Sequence, residues 1–293
     1  MTCFKKFGYP IYFTMVMAIM AASIATYYYK IIILSSALMI IGIITLIFLS
    51  LVNVYTFSNI SANPVDLMAV ISGILATIIR IKLFIPSLFY SSLLDVLLVI
   101  ISMFWFIVLY LIIKNSSEDI YFKHHLIGVS AVLLSISINP IGFFNFLKIT
   151  FLDLGIIAYI IVSAISIKNL LKKKIIIDET IWIQMGLPAL ICSALIDINN
   201  YFFAMFFYIF AVIFLPFVIV MSIIKISSAT ISLNEISSRK SLWSSVFPQA
   251  IFSEASFLIL KYVNIFLLYY LGLIFSISAV ILWFAFSLIA IIK

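Results

Sequence analysis

Long apolar runs, interrupted by single charges and turn-forming residues, divide the chain into ten segments: 8–29, 31–57, 66–83, 87–113, 125–145, 148–171, 179–198, 200–225, 241–261 and 264–291. Each is near the roughly 20 residues that an α-helix needs to cross hydrocarbon. The segments alternate in character. The even ones are greasier, and residues 198–224 and 262–292 hold no charge at all. The odd ones carry the irregularities: Gly73 and Arg80, Asn139-Pro140, Gly186 and Pro188, Pro248 and Glu254. Odd segments start about 60 residues apart, the mark of a repeated helical hairpin. The pattern predicts five odd helices in an inner ring and five even helices outside them. Pro216, in the eighth segment, is the exception.

The stretch Ser241–Lys261 is the most unusual of the ten. It is apolar enough to span a bilayer, yet it holds Phe247-Pro248, Glu254 and five serines. Proline lacks an N–H and frees a carbonyl four residues back. In hydrocarbon that carbonyl needs a partner, which neighbouring helices, hydroxyls or water can supply. Ser244 and Ser245 are placed for this. Residues seven apart nearly eclipse one another on a helix, so Phe247, Glu254 and Lys261 form one stripe with steps of about 10 Å. A glutamate at mid-membrane costs roughly 2.5–3.5 kcal/mol on insertion scales and faces protein or water. The stripe is therefore expected to face inward. Asp66, Gly73 and Arg80 share the same spacing and form a second candidate inward stripe, although close helix packing at Gly73 gives an alternative reading.

Composition agrees with a lipid-solvated chain. Of 293 residues, 66% are hydrophobic and 9% charged, too few charges to cover a soluble surface. A single transmembrane domain over 1–293 accounts for the whole chain. The net charge of +7 sits in short loops, where membrane orientation explains it without nucleic acid. With the N-terminus inside, twelve basic residues fall on the cytoplasmic side: Lys5, Lys6, Lys114, Lys123, Lys168, Lys172, Lys173, Lys174, Lys225, Arg239, Lys240 and Lys293. Five fall outside: Lys30, Arg80, Lys82, Lys148 and Lys261. Both termini are thus expected in the cytoplasm of a multi-pass cell-membrane protein. The run from Phe7 to Tyr29 is long for a signal peptide and reads as a retained first helix. Cys3 and Cys192 have no metal-ligand spacing and are not expected to pair.

Other features take plainer readings. His124-His125 point about 100° apart on a helix and read as a solvated loop pair rather than metal ligands. Lys172–Lys174 reads as a topological anchor with lipid headgroups as the alternative. The aromatic run Tyr201–Phe210 reads as a lipid-facing surface. Asp95 and Asp153 fit either a proton relay or helix contacts. No cofactor is expected.

Several stretches resemble one family in order along the chain. PIYFTMVMAIMAASIA (10–25) is similar to a first helix reading aromatic-x-x-x-Met-Ala-Thr-Gly. HHLIGVSAVLLSISINP (124–140) is a weaker match to the fifth helix. TIWIQMGLPALICSAL (180–195) is similar to the seventh, with Trp182, Gly186 and Pro188 in place. LWSSVFP (242–248) is similar to the ninth, where a Trp precedes a gating Phe by four residues and Pro often follows. The family is that of the tellurite-resistance/dicarboxylate transporters, which includes fungal malate carriers and plant slow anion channels. The resemblance implies five hairpins around a central pore, a homotrimer in lipid, and a small anion as solute: chloride, nitrate, sulfite, tellurite or a C4-dicarboxylate. By position it makes Phe247 the gate.

The sequence departs from that family at two places. Ile19-Met20 replaces Thr-Gly, which would crowd the pore, and Glu254 puts a carboxylate on an anion path. Helix rise places Phe247 only about 8 Å past Leu242, whereas the family gate lies nearer mid-membrane. Either the ninth helix begins earlier, near Ser237, or the pore is pinched closer to the cytoplasm.

Taken together, these features predict an all-α integral membrane anion channel or carrier rather than an enzyme. The pore would be lined by Gly73, Pro140, Gly186, Pro188, Ser244, Pro248 and Glu254. Glu254 and Arg80, at matching depths on helices running the same way, are expected to pair and cancel the carboxylate, with Lys261 the alternative partner. The rival is a membrane-embedded lipid-modifying or prenyl-transferring enzyme. Enzymes of that kind that use a bound divalent ion need clustered aspartates, whereas Asp66, Asp95, Asp119, Asp153, Asp178 and Asp197 are scattered.

Overall fold

In the computed structural model, residues 9–56, 63–87, 92–114, 120–140, 143–172, 179–228 and 242–292 are described. Cys3, Lys5, Lys6, Asp119, Lys173, Lys174, Asp178, Ser237, Arg239 and Lys240 lie outside them. The described residues form ten α-helices and no strand: α1 Phe13–Tyr28, α2 Ile32–Thr56, α3 Pro64–Phe84, α4 Ser92–Lys114, α5 His125–Ser137, α6 Phe143–Leu171, α7 Ile183–Asp197, α8 Tyr201–Ser228, α9 Val246–Val263 and α10 Phe266–Ile292. Among the described residues, nine helices are long and apolar enough to cross a membrane. This is a multi-pass, all-α membrane-type chain.

Local chemistry sets the helix ends. The Asn63 side chain accepts a hydrogen bond from the Val65 N–H at 2.9 Å, with Pro64 in the first turn, so α3 starts there. Lys30, Asn199 and Asn264 have φ of 60°, 60° and 48°. A left-handed residue ends a helix and reverses the chain within a few positions. It does so at the α1–α2, α7–α8 and α9–α10 junctions, which makes these pairs antiparallel neighbours.

The fifth helix departs from the expected 125–145. A 3-10 turn, Phe122–His124, leads into α5, and the apolar helical stretch Phe122–Ser137 is shorter than the other nine. It stops because a residue before proline is pushed out of the α region. The chain is extended by Ile138, with ψ of 134°, and Pro140 lies exposed beyond the helix. Pro140 lies past the end of the helix and is not among the residues of the cavity wall described below, contrary to its expected place in a pore wall. The helix after it starts at Phe143, which puts Lys148 inside α6 rather than in a loop.

Burial follows the odd–even alternation. The odd-numbered long helices are 61–89% buried and the even-numbered ones 28–39%. Eleven of the thirteen α5 residues are buried. α1 packs on α3 and α9, α3 on α5, α5 on α7, and α7 on α9, so the contacts among odd helices close on themselves. Each odd helix also packs on the even helix that follows it. The even helices present large apolar side chains outward, among them Ile33, Val54, Leu93 and Phe202, as lipid solvation requires. Most of the 201–210 aromatic run is exposed, but Phe207 and Tyr208 are buried.

Candidate functional site

A cavity of about 560 Å³ opens among the C-terminal halves of the odd helices. All five contribute to its wall: Tyr27 and Tyr28 from α1, Ile79, Lys82 and Leu83 from α3, Ile136 from α5, Ser193, Ile196 and Asp197 from α7, and Glu254 and Leu258 from α9. Its volume is in the range of small-ligand sites.

Charged groups surround it. The early end of α5 leaves carbonyls without helical partners, and two buried lysines meet them. Lys82 donates to the Ser137 carbonyl. Lys148 approaches the Ile138 carbonyl at 3.5 Å and pairs with Asp197, whose side chain is 46% exposed. Cations at a helix C-terminus also oppose its dipole. Lys82→Met is expected to strand the Ser137 carbonyl and cost about 1–3 kcal/mol. A thermal melt in detergent, compared with wild type, reads this directly, and an unshifted midpoint would refute the role.

Arg80 is buried but does not meet Glu254. Its Nε donates to Ser23 Oγ at 2.7 Å and its Nη2 to Ser35 Oγ at 2.9 Å, and the guanidinium sits 5.1 Å from the Tyr27 ring centroid. Nη1 has no hydrogen-bond partner. The expected Glu254–Arg80 pair is thus corrected. Helix rise matched their depths but not their direction. Gly73, one stripe position earlier, abuts Phe13: an added Cβ would lie 3.0 Å from the Phe13 carbonyl oxygen. Gly73 and Arg80 both face the α1–α2 hairpin, and Gly73 leaves no room for a gating ring. Lys261, the alternative partner, is exposed, with Nζ 5.2 Å from the Phe257 ring centroid and 5.9 Å from that of Tyr28.

Glu254 is left on the cavity wall, 9% exposed, with no hydrogen bond or ion pair among the described residues. It lies midway along α9.

The other expected site residues fall on the closed side, toward the helix N-termini. Phe247 is fully buried in the first turn of α9. Pro248 follows it in that same turn, where a missing N–H costs nothing, so Pro248 does not break α9. Ser244 sits in the preceding 3-10 turn, and its hydroxyl, expected to serve a freed carbonyl, has no partner. The carbonyl of Ser245 accepts instead from Gln249 Nε2 at 3.1 Å. Gly186 meets Pro248 directly: a Cβ on Gly186 would lie 2.5 Å from Pro248 Cβ and 2.7 Å from its Cα. These two residues make the α7–α9 seam. Pro188 lies inside α7, as Pro216 does inside α8, and the Tyr159 hydroxyl donates to the Gln184 carbonyl four residues before Pro188 at 3.5 Å.

Ile19-Met20 does not crowd the enclosed space. Both side chains reach toward Gly42 of α2, where a Cβ would come within 2.6 Å of Met20 Cε and 3.0 Å of Ile19 Cγ2.

The solvated reading of His124-His125 is also corrected, since both are buried. His125 is fully enclosed, and its Nε2 lies 2.7 Å from Gln184 Oε1, while Gln184 Nε2 donates to Ser163 Oγ at 2.9 Å. His124 turns the other way, its Nδ1 3.0 Å from the Tyr121 N–H. Among the described residues no cluster of His, Cys, Asp or Glu could hold a metal. The cavity residues that sequence reasoning passed over, Tyr27, Lys82 and Asp197, had one signal: isolated polar groups near the ends of odd apolar runs.

No protein-family model matches the sequence, and no curated protein matches it. The likeness to tellurite-resistance/dicarboxylate transporters rests on its motifs alone.

Proposed function

We propose that the chain carries a small anion across the membrane through the space enclosed by α1, α3, α5, α7 and α9, as the ten-helix, five-hairpin transporters it resembles do. The observation that carries the reading is the cavity itself. Every odd helix supplies part of its wall, and it stops short of the fully buried Phe247. Such a site needs no covalent chemistry: it gives the solute a wet entrance and a dry barrier. Lys82 on the cavity wall, and Lys148 paired with the wall residue Asp197, favour an anion over a cation. Chloride, nitrate, sulfite, tellurite and C4-dicarboxylates are the candidate solutes. Liposomes holding the purified chain should take up at least one of chloride, sulfite, tellurite and malate faster than empty liposomes. Equal rates for all four would reject the proposal.

A homotrimer is part of the same reading. Asp153 is exposed about 15 Å along α6, and a carboxylate facing acyl chains at such depth is costly. A neighbouring copy of the chain would cover it.

Orientation follows from charge. Arg80, Lys82 and Lys148 are taken up inside the bundle, so of the five basic residues assigned outside only Lys30 and Lys261 remain. Against twelve on the other side, this count supports cytoplasmic termini. A reporter fused after Lys293 is expected to read as cytoplasmic, and an external signal would reverse the topology.

A further inference from the structure

We propose that Glu254 is the proton-binding site of this path, so that the anion crosses together with a proton. The inference rests on the transport reading and specifies what is coupled to it.

Glu254 is more than nine-tenths buried, lines the cavity and has no partner among the described residues. The titratable groups that share the cavity wall with it are Tyr27 and Tyr28 on α1, Lys82 on α3 and Asp197 on α7, and none bonds to it. The cations nearby are committed elsewhere: Arg80 to Ser23, Ser35 and Tyr27, Lys82 to the Ser137 carbonyl, Lys148 to Asp197 and Lys261 to two aromatic rings. On α8, Tyr208 bonds to Ser256 at 2.9 Å. On α10, Tyr269 packs on Tyr29.

An ionised carboxylate in that setting is disfavoured, and neutralising it by protonation is the ordinary resolution. The cavity makes the proton exchangeable, because its opening gives Glu254 a route to water while the closed side below is dry. Phe247 lies seven residues back on the same stripe, about 10 Å away. An anion in the cavity and an ionised Glu254 repel each other, so occupation by the anion favours the protonated acid. The step balances simply. The carboxylate takes a proton from water on the cavity side, the neutral acid lets the anion pass, and the proton leaves to water on the far side.

The test uses the full-length chain in liposomes loaded with the pH dye pyranine, with chloride, sulfite, tellurite or malate outside. Wild type is expected to acidify the lumen as the anion enters, faster when the outside is acid. In Glu254→Gln, proton entry should fall to the level of empty liposomes, and whatever anion flux remains should no longer respond to pH. Lumen acidification that persists in Glu254→Gln overturns the proposal. So does wild-type anion uptake without protons, a result that needs no variant to fold and leaves the transport reading intact. Wild type that moves no anion at all overturns the transport reading itself.

Discussion

Phe247→Ala is expected to raise anion flux per folded molecule while lowering the melting temperature. Both effects follow from where the ring sits. It is fully buried on the closed side of the bundle, on the α9 stripe that carries Glu254 into the cavity. Removing a buried phenyl leaves a void and costs about 3–5 kcal/mol. On the transport reading the same void joins the cavity to the opposite face, because a phenyl plug excludes water and strips an ion of hydration. In wild type, displacing the ring by a rotamer change of about 30° off ideal costs of order 1 kcal/mol, a barrier small enough to be reversible. Flux must be normalised to monodisperse protein, since yield will drop. Unchanged or reduced flux from well-folded variant would remove Phe247 from the path and leave it a packing residue.

The second large effect is at the α7–α9 seam. Gly186→Ala places a methyl 2.5 Å from Pro248 Cβ and 2.7 Å from its Cα. The Cα belongs to backbone and cannot swing aside, so the two helices must separate. Overpacking of this kind costs about 1–3 kcal/mol, occasionally more. Gly42→Ala is the matched control. Its new methyl approaches Met20 Cε at 2.6 Å, the end of a flexible side chain that can move away cheaply. Thermal unfolding of the two variants should therefore differ clearly, with Gly186→Ala the less stable. Equal midpoints would show that the seam is looser than the contact implies.

Comparing these sites with the sequence shows which physical signals travel in one dimension. Helix positions were legible because apolar runs have the length of a bilayer, and the inner–outer alternation because lipid-facing helices carry few charges. Spacing by seven grouped Gly73 with Arg80, which both meet the α1–α2 hairpin, but it also grouped Lys261 with Glu254 on an inward stripe, and Lys261 is exposed. Spacing did not say which neighbour each stripe meets. Gly73 and Arg80 turned toward the α1–α2 hairpin, so the pairing inferred from depth failed. Pro248 misled for a related reason: a proline is disruptive inside a helix and harmless in its first turn, and the boundary at Val246 was not evident from hydropathy. His125 looked like a loop residue because its partner, Gln184, is 59 positions away.

The closure of the odd helices on themselves has a consequence for biosynthesis. α9 supplies the contacts to both α7 and α1, yet it is the ninth helix to leave the ribosome. Until then α1 has an unfilled flank. Its neighbour Tyr29 lacks the Ser253 carbonyl it later meets at 3.3 Å, and the Met15 carbonyl lacks the Trp283 indole N–H that reaches it at 3.0 Å. The five-sided enclosure is complete only once the last hairpin is in place. Glu254 enters the membrane on the same element that provides the fifth wall of its cavity, so the unpaired acid and its enclosure arrive together.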